Sequence, residues 1–272
     1  MRSTFLFLTL TVPLSAQFLT PNWRNSPESE HAHWDRFTSA HSAPNAPDVA
    51  SDSPTNDAKI TGITSSAFLT SSGNIYSFQS ATSFQLADST NFPIRTVFLQ
   101  LATAGSEIDS SSVRLFTTSG SGESQIILPT SALVLNQDTL DGEFGGLGTT
   151  HAFQWDLSDS PVSGNYRIIF SAAESSMSLD QVSLDTSSNF EEVRPKVPAP
   201  RISLSPEEIT LTWNGSFILQ SSPDLSSWTD VSREPVLTDE ERKVALPLAS
   251  EPVFFRLRQA SAMEHHNMTK VR

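Results

Sequence analysis

The sequence predicts an all-β chain of two antiparallel β-sandwiches, a larger one followed by a smaller one. Three observations carry that expectation. Apolar residues recur at every second position in run after run, as they do in strands with one buried face. Only 17% of the residues are charged, and Ser and Thr are abundant where surface helices would carry Lys and Glu. Turn residues separate the runs with no helical stripe between them, and without crossover helices the strands join as antiparallel neighbours.

The bulk numbers set the bounds. A chain of 272 residues is long enough for two cores. Seventeen Lys and Arg against thirty Asp and Glu give a net charge of −13, a field that repels nucleic acid and anionic lipid. The absence of Cys excludes disulfides, Cys-ligated zinc and thiol nucleophiles.

Taken in order, residues 1–16 read as an export signal: Arg2, an apolar run from Phe5 to Leu14, then Ser15 and Ala16 before Gln17. The run falls short of the ~20 residues that cross a bilayer, and no later segment reaches that length. The expected location is therefore secreted, extracellular or at the cell surface, with no membrane span. Residues 17–57, rich in Pro, Asn, Ser and His, read as an extended leader. Within it, His33, Asp35 and Phe37 alternate with Trp34 and Arg36, so a first strand is expected near 31–38.

Residues 58–186 read as the larger sandwich. A turn at Ser71, Ser72, Gly73 and Asn74 leads into the alternating Tyr76 and Phe78, with Phe84 and Leu86 beyond. Val97, Leu99 and Leu101 face one way and Phe98 and Gln100 the other, the pattern of a central strand. Val113 and Leu115, Ile126 to Leu128 and Leu133 to Leu135 mark further strands. His151, Phe153, Trp155 and Leu157 form the clearest alternation. Tyr166, Ile168 and Phe170 follow Ser163, Gly164 and Asn165, so these two strands are expected to pair through a tight connection. Met177 and Leu179 keep one phase and Val182 and Leu184 the other, which calls for a β-bulge near Asp180 or Gln181. A jelly-roll-like arrangement accommodates this many short strands.

Residues 187–200, with Pro195, Pro198 and Pro200 among charged side chains, read as a stiff, solvated linker. Residues 201–258 carry a second set: Ile202 and Leu204, then Ile209, Leu211 and Trp213, then Phe217 and Leu219. Trp228 follows a turn at Pro223 and Asp224, and the set closes with Val244, Leu246 and Leu248 and with Val253, Phe255 and Leu257. Residues 259–272 form a polar tail.

Two resemblances follow from these residues. Leu211, Thr212 and Trp213, the segment Phe217 to Ser222 with Trp228 and Val231, and the closing Phe254, Phe255, Arg256 and Leu257 make residues 201–258 resemble a fibronectin type III domain, an immunoglobulin-like sandwich. The module is shorter than the usual ~100 residues, so the resemblance implies one or two missing strands. The first module is similar to the jelly-roll domains of secreted bacterial surface proteins and to carbohydrate-binding modules. That likeness rests on Trp23, Arg24, Trp34, Pro47, Asp48, the run Ser71 to Phe78, and the ending Met177, Ser178, Leu179, Asp180, Gln181, Val182. Such surface proteins carry a hydrophobic anchor tail, which the polar residues 259–272 are not expected to supply.

The search for chemistry yields few candidates. Neither a phosphate-binding loop nor a Gly-x-Ser-x-Gly elbow is present, and Gly142, Gly145, Gly146 and Gly148 read as turn freedom. His31, His33 and His41 read as solvated imidazoles in a polar leader rather than a metal site. Asp156, Asp180 and Asp185 could supply paired carboxylates for a glycosidase, but surface acids of an acidic protein account for them equally well. Calcium is the one cofactor the sequence suggests, at Asp141, Glu143 and Asp180 on sandwich edges. Sugar binding calls for an exposed aromatic ring; Trp155 and Trp213 read as core, which leaves Trp34, Tyr76 and Trp228 as candidates, with ordinary packing the competing reading for each.

The expected function is a noncatalytic binding or surface-associated protein recognising an extracellular polysaccharide or cell-envelope component. The alternatives are a secreted polysaccharide-acting hydrolase and a structural spacer or matrix component.

Overall fold

Alternating burial marks Ser29–Trp34, Lys59–Gly62, Ile75–Ser77 and Ser83–Ile94 in the computed structural model, which describes residues 18–51, 57–118, 124–140, 146–215, 217–238, 241–248 and 252–259. The expected export signal, the calcium candidates Asp141 and Glu143, and the tail from residue 260 onward lie outside the described residues. No helix among the described residues is long and apolar enough to cross a membrane.

The first set of strands is Ser29–Trp34 (β1), Val49–Ala50 (β2), Lys59–Gly62 (β3), Phe68–Leu69 (β4), Ile75–Ser77 (β5), Ser83–Ile94 (β6) and Thr96–Gly105 (β7). It continues with Arg114–Thr118 (β8), Ser124–Ile127 (β9), Ser131–Thr139 (β10), Leu147–Asp156 (β11), Val162–Ser171 (β12) and Met177–Ser187 (β13). One sheet runs β10-β11-β7-β13-β1-β2 and gains the β4–β5 hairpin, which pairs with β13 through β5. The other runs β3-β6-β12-β8-β9. The ladders are antiparallel, and the two sheets pack as a sandwich. Trp34 and Trp155 come from the first sheet and Phe84, Leu86 and Phe170 from the second, all fully buried in one continuous core.

β7 is the central strand that its two-sided apolar pattern predicts, lying between β11 and β13. The phase change in β13 is a register shift between Leu179 and Gln181, which places the bulge at Asp180. The strands around Trp155 and Ile168 do not pair: β11 joins β7 and β10, while β12 joins β6 and β8 in the opposite sheet. The Ser163-Gly164-Asn165 signature is used inside β12, where Gly164 at φ +78° sits at a register shift against β6. The connection between the two strands passes instead through Leu157 to Pro161, anchored by the Arg95 guanidinium donating to the Ser158 carbonyl at 2.7 Å.

The first module is larger than 58–186. β1 pairs with β13 from Ser29↔Ser187 to Trp34↔Val182, so the leader supplies an integral strand. The outer face of the same sheet is covered by chain from both flanks. Gln100, buried on β7, accepts from the Leu19 amide at 2.6 Å and donates to its carbonyl at 2.9 Å. Gln154 on β11 holds Val193 and Glu191 in the same way, at 3.0 and 2.8 Å. Trp23 and Val193 then pack with Phe98, Leu135 and Ala152 in a second apolar cluster. Arg24 forks onto Asp185 at 2.6 and 2.7 Å. The first part of the expected solvated linker is thus docked onto the sheet.

The second set is Arg201–Leu204 (β14), Glu208–Asn214 (β15), Phe217–Ser222 (β16), Thr229–Asp230 (β17), Val236–Thr238 (β18), Glu241–Pro247 (β19) and Phe254–Gln259 (β20). A four-stranded sheet, β14-β15-β19-β18, faces a three-stranded one, β17-β16-β20. Leu211, Trp213, Leu219, Val244 and Leu257 form their shared core.

Candidate functional site

The β4–β5 hairpin builds an aromatic surface at the edge of the first module. Its turn closes as expected, with the Gly73 amide donating to the Thr70 carbonyl at 3.0 Å and Gly73 at φ +90°. In β5, Ile75 and Ser77 point inward and are fully buried, so Tyr76 and the following Phe78 take the outward phase. Phe68 lies directly across from Tyr76. The three rings meet edge-on or tilted, with centroids 5.6 Å apart for Phe68 and Tyr76, 5.5 Å for Phe68 and Phe78, and 6.0 Å for Tyr76 and Phe78. Phe68 is 41% exposed and Phe78 59%, an unusual outlay of aromatic surface in water.

Polar groups border the rings. Ser178 is the cross-strand partner of Tyr76 on β13, and the bulge two residues on presents Asp180. Asp180 Oδ1 accepts from Asn74 Nδ2 at 2.6 Å and from Ser178 Oγ at 2.7 Å. Burial pushes the Asp180 carboxyl above its ordinary value, against the pull of those two donors. Rings that offer apolar faces beside fixed hydroxyl, amide and carboxyl groups can take a ligand with both apolar faces and hydroxyls.

The other sequence candidates fall elsewhere. Trp34 is not a surface ring: it is fully buried, with Nε1 donating to the Asn45 carbonyl at 3.1 Å, because its phase on β1 faces the core. Trp155 and Trp213 are core residues, as their alternation predicts. Trp228 is half-buried in the second module, with the Arg256 guanidinium 4.2 Å above its ring. Of the calcium candidates only Asp180 is described, and no group of three or more His, Asp or Glu among the described residues is arranged to hold a metal ion. His31 and His33 share the outward face of β1; His33 Nε2 lies 2.7 Å from Asp35 Oδ1, and His41 Nδ1 lies 2.9 Å from Ser42 Oγ.

The carboxylates considered for hydrolysis are held apart in separate roles. Asp185 is wholly buried and forked by Arg24, and desolvation still lifts its carboxyl above the ordinary value. Asp156 accepts from the Ser158 amide at 3.0 Å, and Asp180 belongs to the aromatic surface.

Sequence reasoning missed Phe68, Phe78 and Asn74 as companions of Tyr76. Their signal lay in the small Ser77 between two aromatics: a strand whose other phase holds only Ile75 and Ser77 turns its rings outward when it packs by that phase. No protein-family model matches the chain, and no curated protein matches it in sequence.

Proposed function

We propose that the chain is an exported, noncatalytic binding protein that recognises a glycan through the Phe68–Tyr76–Phe78 surface. The observation that carries this reading is the gathering of three aromatic rings, Phe68 and Phe78 exposed and Tyr76 half-buried, beside Asp180, Asn74 and Ser178. Pyranose rings present C–H faces that stack on aromatics and hydroxyls that bond to amides and carboxyls, so both halves of the surface have a partner in the same ligand. A carboxyl at the rim favours a neutral ligand there over an anionic one. The hydrolase alternative has no comparable support, since it needs two carboxyls flanking an accessible bond.

The test is electrophoresis of the full chain through gels containing neutral polysaccharides, such as xylan and β-glucan. At least one polymer is expected to retard the wild type. Tyr76→Ala and Phe78→Ala should each weaken retardation by about fivefold to tenfold, the worth of one aromatic contact. Because Phe78 is exposed, its removal should leave the melting temperature nearly unchanged. A chain that no neutral glycan retards, or variants that bind as the wild type does, would return the protein to the spacer reading.

A further inference from the structure

The outer face of the small β17-β16-β20 sheet holds a second constellation. Arg256 stacks on Trp228 at 4.2 Å. Its Nε donates to Gln220 Oε1 at 2.8 Å, and Gln220, itself buried, donates through Nε2 to Asp230 Oδ1 at 2.7 Å. Arg258 closes the ladder on Asp230 at 2.5 Å and holds that carboxyl below its ordinary value. Trp228 is fixed in turn, with Nε1 donating to the Leu225 carbonyl at 3.1 Å. Asp224 caps the same turn by accepting from the Ser226 and Ser227 amides at 2.9 and 2.8 Å.

Asp230 is taken by Arg258 and the Asp224 carboxylate by the turn amides, so the exposed Arg256 guanidinium has no ion-pair partner among the described residues. Neither of its η nitrogens bonds to another described residue, although stacking and the Nε bond fix the plane of the guanidinium. A guanidinium held this way offers two parallel N–H donors, a fork that matches the two oxygens of a carboxylate. Its orientation is set before any ligand arrives, which removes much of the entropy cost of binding. Leu225, whose carbonyl accepts from Trp228 Nε1, is 58% exposed and sits at φ +64°, a strained conformation for a non-glycine residue. Phe254, two residues before Arg256 and on the same face, is 40% exposed.

We infer that Trp228 and Arg256 form a carboxylate-binding site for a uronic-acid side group on an otherwise neutral glycan, with Phe254 and Leu225 as its apolar border. The inference rests on the glycan reading above. The chain's net charge of −13 opposes a dense polyanion but tolerates an isolated carboxylate, which is why the ligand is sparsely charged.

The test compares retardation of the full chain by glucuronoxylan, which bears scattered uronates, with retardation by neutral arabinoxylan. The wild type is expected to bind the uronate polymer about tenfold more tightly, the worth of one charged fork. Arg256→Gln should abolish that preference and leave binding to the neutral polymer intact. Arg256→Lys, which keeps the charge and loses the fork, should lose most of it. Tyr76→Ala should weaken both polymers alike. Equal binding of the two polymers by the wild type, a preference that survives Arg256→Gln, or no retardation by glucuronoxylan overturns the inference. Failure of the aromatic reading shows separately, as neutral binding that is absent or indifferent to Tyr76→Ala.

Discussion

Asp88 is a carboxyl group in the interior of a β-sandwich. It faces inward from β6, accepts from the Tyr166 hydroxyl at 2.6 Å and from the Ser89 amide at 2.9 Å, and lies in the field of Glu30 on β1 and of Asp57. Burial is the largest influence, and it pushes the carboxyl from the ordinary 3.8 up to about 7. The folded state therefore favours the protonated form. The corresponding stability is fully present below about pH 4 and is lost as pH rises through about 7. A rise from 3.8 to about 7 is worth at most about 4 kcal/mol. The urea midpoint is expected to fall between pH 4 and pH 8 in the wild type, and Asp88→Asn should flatten that slope. Sequence alone did not reveal Asp88, because a carboxyl in the apolar phase of a strand looks like a register error until a donor such as Tyr166 is seen opposite. Trp34 stood between a surface and a packed reading in the sequence, and the alternation of β1 sets the ring inward.

At the scale of elements, period-two patterning placed the inward residues of β1, β5 and β6, whereas Ile202 and Leu204 of β14 keep one phase and are exposed. The bulge at Asp180 was legible because apolar residues change phase across it, and the centrality of β7 was legible because both its faces are apolar. The pairing of β11 with β12 was not legible. A Gly-Asn pair serves a hairpin turn and a bulge equally well, and only the partner strand decides between them. β1 offers a test of how much a leader strand contributes. Trp34 is its largest inward side chain, fully buried between the sheets. Trp34→Ala is expected to cost about 3–5 kcal/mol in denaturant unfolding, the usual penalty for so large a cavity. A cost below about 1 kcal/mol would mean that β1 is dispensable.

For the molecule as a whole, two sandwiches were legible from the spacing of turns and strands, but the edges of the first were not. Composition marks residues 17–57 as polar, and the sequence holds no sign that Gln100 and Gln154 reach out to capture backbone from beyond both ends. A fragment of residues 58–186 lacks β1, the Arg24 partner of Asp185 and the cover of Trp23 and Val193. It is expected to be insoluble or to lack a cooperative melt, whereas residues 18–200 should unfold in a single transition by calorimetry. The pairing of Ser29 with Ser187 also governs the timing of assembly. The first strand made must wait for the last, so the sheet cannot close until nearly the whole module has left the ribosome. Contacts this distant in sequence slow folding and prolong the life of unpaired edges, which makes the nascent chain a natural client for a chaperone.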